Sequence, residues 1–82
     1  MKRLIEEEDR LSQHLEHLEF AETRAAKCRD RLNYLRILRN SFVAGSTDRA
    51  QADRLIENYE AIQRLLDQRC HQMRQKMNSR PL

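Results

Sequence analysis

Residues 40–51 read NSFVAGSTDRAQ and contain the chain's one glycine, Gly45, just past the midpoint of 82 residues. Either a helix runs through this stretch, making a rod that must find other copies of itself, or the chain reverses here and supplies its own partner. Gly45 suits the left-handed backbone found just past a helix end, where a Cβ is penalised. Ser46, Thr47 and Asp48 follow as candidate N-caps, and Asp48 with Gln51 three residues later has the spacing of a capping box. The stretch predicts a break over about 44–47.

On both sides of that break the apolar residues recur with a helical period. Leu4, Leu11, Leu18, Ala25 and Leu32 repeat every seven residues, with Glu7, His14, Ala21, Cys28 and Leu35 as companions three further on and Phe42 closing the series. This is a coiled-coil seam with two polar interruptions. After the glycine, Ala52, Tyr59, Leu66 and Met73 repeat at seven, flanked by Leu55 or Ile56, Ile62, Cys70 and Met77. The expected helices therefore span about 3–43 and about 48–77, followed by a short frayed tail, and at ~1.5 Å per residue the first overhangs the second.

Charge converts the break into a reversal. The net charge is −4 over residues 1–23, +5 over 24–45, −2 over 46–67 and +4 over 68–82. Folding back at Gly45 lays the first block beside the last and the second beside the third, so opposite signs meet along the whole length. Each exposed pair contributes only a few tenths of a kcal/mol, so the pattern selects the topology more than it stabilises it. The fold expected is all-α, a single antiparallel two-helix hairpin over residues 1–82 that is coiled-coil-like and able to pair into a helical bundle. A reversal about 45–46 places Leu32 opposite Tyr59, Ala25 opposite Leu66, Ala21 opposite Cys70, Leu18 opposite Met73 and His14 opposite Met77. Small residues face larger ones, which allows close approach of the helices.

Composition agrees with long helices: 35% of residues are charged, and there is one proline and no tryptophan. A chain this short buries only roughly 60% of its unfolded surface, so a thin seam is the most it makes alone. No apolar run approaches the ~20 residues of a membrane span. The opening MKRLIEEEDR places acids where a signal peptide carries its apolar stretch, which points to a cytoplasmic chain.

Residues with chemical potential are few. Cys28 and Cys70 fall roughly 10 Å apart along the hairpin axis, too far for a disulfide, and read as buried free thiols. His14 and His17 lack the partners of a CxxC or HExxH metal motif. The acids Glu6–Asp9 read as a solvated cluster in the first turns of a helix, where the macrodipole favours negative charge. With no activated nucleophile, no glycine-rich phosphate loop and no scaffold for a pocket, the expectation is a non-enzyme with no cofactor and no metal.

The basic run from Arg24 to Arg39, with Tyr34 inside it and a pI near 9.2, raises nucleic-acid binding. The hairpin sets Asp53, Glu57, Glu60 and Asp67 beside that run, which argues against a phosphate-binding arm. The remaining signal is apolar surface that the seam does not use. Ile5, Phe20, Tyr34, Ile37 and Leu38 on the first helix, and Ala61 and Leu65 on the second, fall outside the inner stripe. Phe20, Tyr34, Ile37, Leu38 and Leu65 are the candidate partner-binding residues, with Leu38 and Leu65 also placed to flank the core.

An acidic LEHLE-type first helix, a glycine-containing turn, a glutamine-bearing start to the next helix and then LIENYEAIQRLL give the chain a family likeness. From about Leu11 to Leu66 it resembles the YscE/SsaE-like small helical-hairpin co-chaperones of type III secretion systems. The resemblance implies a cytoplasmic protein that pairs with a larger helical-repeat chaperone and keeps a self-polymerising needle subunit, or another export substrate, from assembling before secretion. Two other classes stay open. One is a self-associating structural coiled coil, a homo-oligomer using the same outer residues; the other is a small basic nucleic-acid-binding adaptor.

Overall fold

The computed structural model describes residues 2–78, with side chains from residue 8 onward. Two helices, α1 over Lys2–Ser41 and α2 over Thr47–Asn78, lie antiparallel and pack against each other as an all-α hairpin. The molecule is elongated, 66 × 16 × 13 Å, with a radius of gyration of 18.9 Å. A compact domain of this length has a radius near ~12 Å, so the chain forms one layer of contacts rather than a closed core. Its accessible surface of 7123 Å² compares with about 5,200 Å² for a globular monomer of the same mass. Among the described residues no helix is long and apolar enough to cross a membrane.

The reversal uses its residues differently from the sequence expectation. α1 ends at Ser41 rather than 43, where the Ser41 hydroxyl donates to the Leu38 carbonyl at 2.5 Å and the Phe42 N–H donates to the Arg39 carbonyl at 3.1 Å. These i→i−3 bonds satisfy carbonyls that a continuing helix would have used. A separate β-turn follows over residues 43–46, closed by the Ser46 N–H donating to the Val43 carbonyl at 3.1 Å. Gly45 is its third residue with φ of 82°, and among the described residues no other has a positive φ. That is the requirement of a type II turn, so the glycine serves the turn and not the end of α1. Ser46 then caps α2: its carbonyl accepts from the Ala50 N–H at 3.1 Å and its hydroxyl from the Arg49 N–H at 3.2 Å. Of the three candidate caps Ser46 is thus the one used, and Asp48, the candidate with capping-box spacing, lies in the first turn of α2 near the positive end of the helix dipole.

Between the helices the seam follows the expected register. Ala21, Ala25 and Cys70 form a buried cluster with Leu66 and Met73 packed against it, and Ala25 is only 1% exposed. Nearer the turn, Leu32, Cys28, Ala52 and Ile56 are buried as well. Small side chains bring the backbones together: the Cys28 thiol lies 3.6 Å from the Tyr59 carbonyl oxygen of the facing helix. Both cysteines are free and buried. At the far end His14 lines a shallow recess with Leu11 and Met77, as the register requires.

One seam position departs from expectation. Gln63, not Ile62, faces α1, while Leu55 and Ile62 stand on the outside. The Gln63 amide donates to Asp67 Oδ1 at 3.0 Å, and its carbonyl oxygen is buried with no partner. The reason is helical spacing. Ala52, Tyr59, Leu66 and Met73 need companions four residues on, and Ile56, Gln63, Cys70 and Met77 are that series.

The acidic cluster is also displaced relative to the helix end. α1 begins at Lys2 with no acid in its first turn, so the cluster falls in later turns, beyond the reach of the dipole. Glu8 and Asp9 are exposed. The side chains of Ile5, Glu6 and Glu7, and most of the expected frayed tail, lie outside the described residues.

Two flanks as candidate interaction surfaces

The heptad that builds the seam also sorts the outer residues onto two sides. On one side of α1 lie Glu22, Arg29 and Arg36, seven apart; on the matching side of α2 lie Asp53, Glu60, Asp67 and Arg74. These meet across the groove. Arg74 donates from Nε and Nη2 to Glu22 Oε1 at 2.9 and 2.7 Å, Arg29 reaches Asp67 Oδ1 at 3.4 Å, and Arg36 reaches Glu60 Oε1 at 3.6 Å. Arg39 pairs with Asp53 toward the turn. The charge alternation of the sequence is thus realised as a ladder along one flank. All four pairs are solvent-exposed, so each contributes ~0.2–1 kcal/mol at most and their shared service is to hold the register. The Glu22 carboxylate, by its hydrogen bond first and its charge second, raises the Arg74 pKa above the ordinary arginine value.

The opposite flank is built from different residues. On α1, Arg24 and Arg31 recur at seven with Phe20, Lys27 and Tyr34 beside them; on α2, Leu55, Ile62 and Arg69 recur at seven with Leu65 beside them. His17, Phe20, Arg24, Arg69 and Met73 line one shallow recess here, whereas Glu22, Arg29, Asp67 and Arg74 line another on the paired flank. The Arg24 guanidinium lies over the Phe20 ring at 5.9 Å from its centroid, and Arg31 donates to the Tyr59 hydroxyl at 3.2 Å. Among the described residues, none of Arg24, Lys27, Arg31 and Arg69 has a carboxylate partner. The basic run is therefore neutralised on one side only. Arg29, Arg36 and Arg39 meet acids, and the cations between them point the other way.

The expected binding residues divide accordingly. Phe20 and Tyr34, 66% and 65% exposed, and Leu65, 67% exposed, stand on the cationic flank, Leu65 on α2 and the other two on α1. Leu65 is thus outward rather than flanking core. Leu38 is half-buried beside the seam, in keeping with its expected part in the core margin. Ile37, 71% exposed, points away from α2 on the back of α1, so it adjoins Tyr34 in sequence but leaves the flank. Leu55 and Ile62 join this surface although the sequence reading put both near the seam. The four-residue spacing from Ala52 and Tyr59 was the signal that would have placed them. Among the described residues no three His, Cys, Asp or Glu side chains converge to hold a metal ion.

No protein-family model, no curated protein and no solved structure matches the chain.

Proposed function

We propose that the chain is a protein-interaction module that works by binding and performs no catalysis. What supports this most is the pair of unlike flanks: one sets four arginine–carboxylate pairs between the helices, the other holds Phe20, Tyr34, Ile62 and Leu65 exposed. Large apolar side chains grouped at that density serve as anchors in helix–helix recognition. The surface excess over a compact monomer is of the size that a partner covers. In the reading that the sequence resemblance favours, the protein acts in the cytoplasm as a co-chaperone of type III secretion, pairing with a helical-repeat chaperone. Its apolar faces then cover surfaces of a needle subunit or other export substrate that would otherwise assemble too early.

The test is recovery of partners from native cytoplasm by the tagged chain, with identification of what co-purifies. Replacing Tyr34 and Leu65 with serine leaves helicity intact and lowers recovery at least tenfold, equivalent to about 1.4 kcal/mol. Replacing Arg29 and Arg36 with glutamine does much less. Loss of recovery in the arginine variant with the serine variant silent contradicts the module reading.

A further inference from the structure

The cationic flank carries more information than its apolar side chains alone. Positions facing this way from 10 to 41 on α1 and from 51 to 76 on α2 hold no Asp or Glu. The strip from Phe20 to Leu38 is about 27 Å long, five turns of helix. Along it the apolar anchors alternate with Arg24, Lys27, Arg31 and Arg69, and no carboxylate among the described residues pairs with them.

We propose that this flank docks an amphipathic helix with an apolar stripe bordered by Asp and Glu, supplied by another protein. Charge complementarity decides the occupant. A second copy applied face to face would set these cations against their own kind. A bilayer would have to take up the guanidinium groups of Arg24, Arg31 and Arg69, which lie next to the groove rather than at the rim, and burying them in hydrocarbon is expensive. A nucleic-acid backbone answers the cations but leaves Phe20, Ile62 and Leu65 unused. An acidic amphipathic helix satisfies both sets at once, its carboxylates meeting the unpaired cations while its apolar stripe lies along the groove. This rests on the interaction-module reading and specifies the chemistry of the partner.

The test uses the full chain and two labelled synthetic helical peptides of about 20 residues, identical in their leucine stripe, one bordered by Glu and the other by Lys. Fluorescence anisotropy at about 0.15 M salt reads binding. The Glu peptide binds roughly tenfold or more tightly than the Lys peptide. Tyr34→Ser with Ile62→Ser weakens the Glu peptide about tenfold. Arg24→Glu with Lys27→Glu reverses the preference, and Arg69→Glu alone shifts it in the same direction should the double change disturb folding by circular dichroism. Arg64→Glu, on the paired flank, has no effect. Equal binding of the two peptides, or binding of neither, overturns the proposal. So does tighter binding of phosphatidylserine vesicles or duplex DNA than of the Glu peptide, or a homodimer that the Tyr34 and Ile62 changes dissolve. Partner recovery that depends on Tyr34 and Leu65, together with indifference to peptide charge, would leave the module reading standing and remove this one.

Discussion

The two flanks of the hairpin are made from the same helices and the same heptad, yet they differ in every interaction that matters. On one, Glu22, Arg29 and Arg36 reach across to Arg74, Asp67 and Glu60, and these charges meet within the chain. On the other, Arg24, Lys27 and Arg69 pair with no acid among the described residues, and Phe20, Tyr34, Ile62 and Leu65 are exposed. Two positions of phase on each helix separate the two: on α1 Arg29 follows the buried Cys28 whereas Arg31 precedes the buried Leu32, and on α2 Glu60 and Ile62 stand the same two positions apart. The lesson is that net charge along a segment misleads when the segment is a helix. The block of +5 over residues 24–45 is one number for two surfaces with opposite fates.

Perturbations of the seam and of each flank sharpen this contrast, and the seam carries the largest effect. Ala25→Glu puts a charge at a position 1% exposed between the helices, and is expected to cost about 3 kcal/mol or more, abolishing a cooperative thermal transition. An unchanged melting curve would mean the flanks are assigned from the wrong register. Gly45→Val comes next, at about 1–2 kcal/mol from the left-handed backbone. A Cβ there meets nothing within 4 Å, so the loss is backbone strain alone and Gly45→Asn should recover much of it. A rise in melting temperature with valine would favour one continuous helix, in which there are no facing flanks at all. Gln63→Leu removes a buried carbonyl oxygen that lacks a partner, and stabilises by about 1 kcal/mol. If Gln63 also helps to fix the register, the variant shows broader or doubled amide resonances.

Smallest of all are the flank substitutions. Arg36→Gln on the paired side lowers stability by about 0.2–1 kcal/mol at low salt and by less in high salt, while Tyr34→Ser on the other side leaves the melting curve in place. A larger effect of Tyr34→Ser than of Ala25→Glu would turn the proposed interaction strip into core. For Arg74 the sign of the alkaline pH dependence follows from its raised pKa: while Glu22 is ionised, the stabilisation is complete below the ordinary arginine value and is lost as pH rises through the raised one. An alkaline titration followed by circular dichroism checks that direction.

How much of this was legible in the sequence varies by element. The reversal, the antiparallel pairing and the small-residue cluster of Ala21, Ala25 and Cys70 follow from period, glycine and charge blocks, because those signals are local or summed over many residues. The turn chemistry was less legible. Ser46, Thr47 and Asp48 all suit a cap, and only the type II turn, which consumes Gly45 as its third residue, makes Ser46 the first free to act. Ile62 and Gln63 show the limit of hydropathy: an isoleucine beside a glutamine invites the wrong choice, and the four-residue spacing of the neighbouring seam positions overrides it. Leu65, also placed to flank the core, proved outward, whereas the outward placement of Phe20 and Tyr34 was readable from phase. The absence of acids opposite Arg24 and Lys27 was not, since it emerges only when both helices are set side by side.

The central claim is that the two flanks have different purposes, and methyl NMR of the isotope-labelled chain, titrated with a partner recovered from a native lysate, tests it most directly. Leu15 and Ala26 report on the paired side, and Leu55, Ile62 and Leu65 on the cationic side. The account predicts line broadening and shift changes concentrated at Leu55, Ile62 and Leu65, with Leu15 and Ala26 unmoved. Changes centred on Leu15 and Ala26, with Ile62 and Leu65 silent, would contradict it.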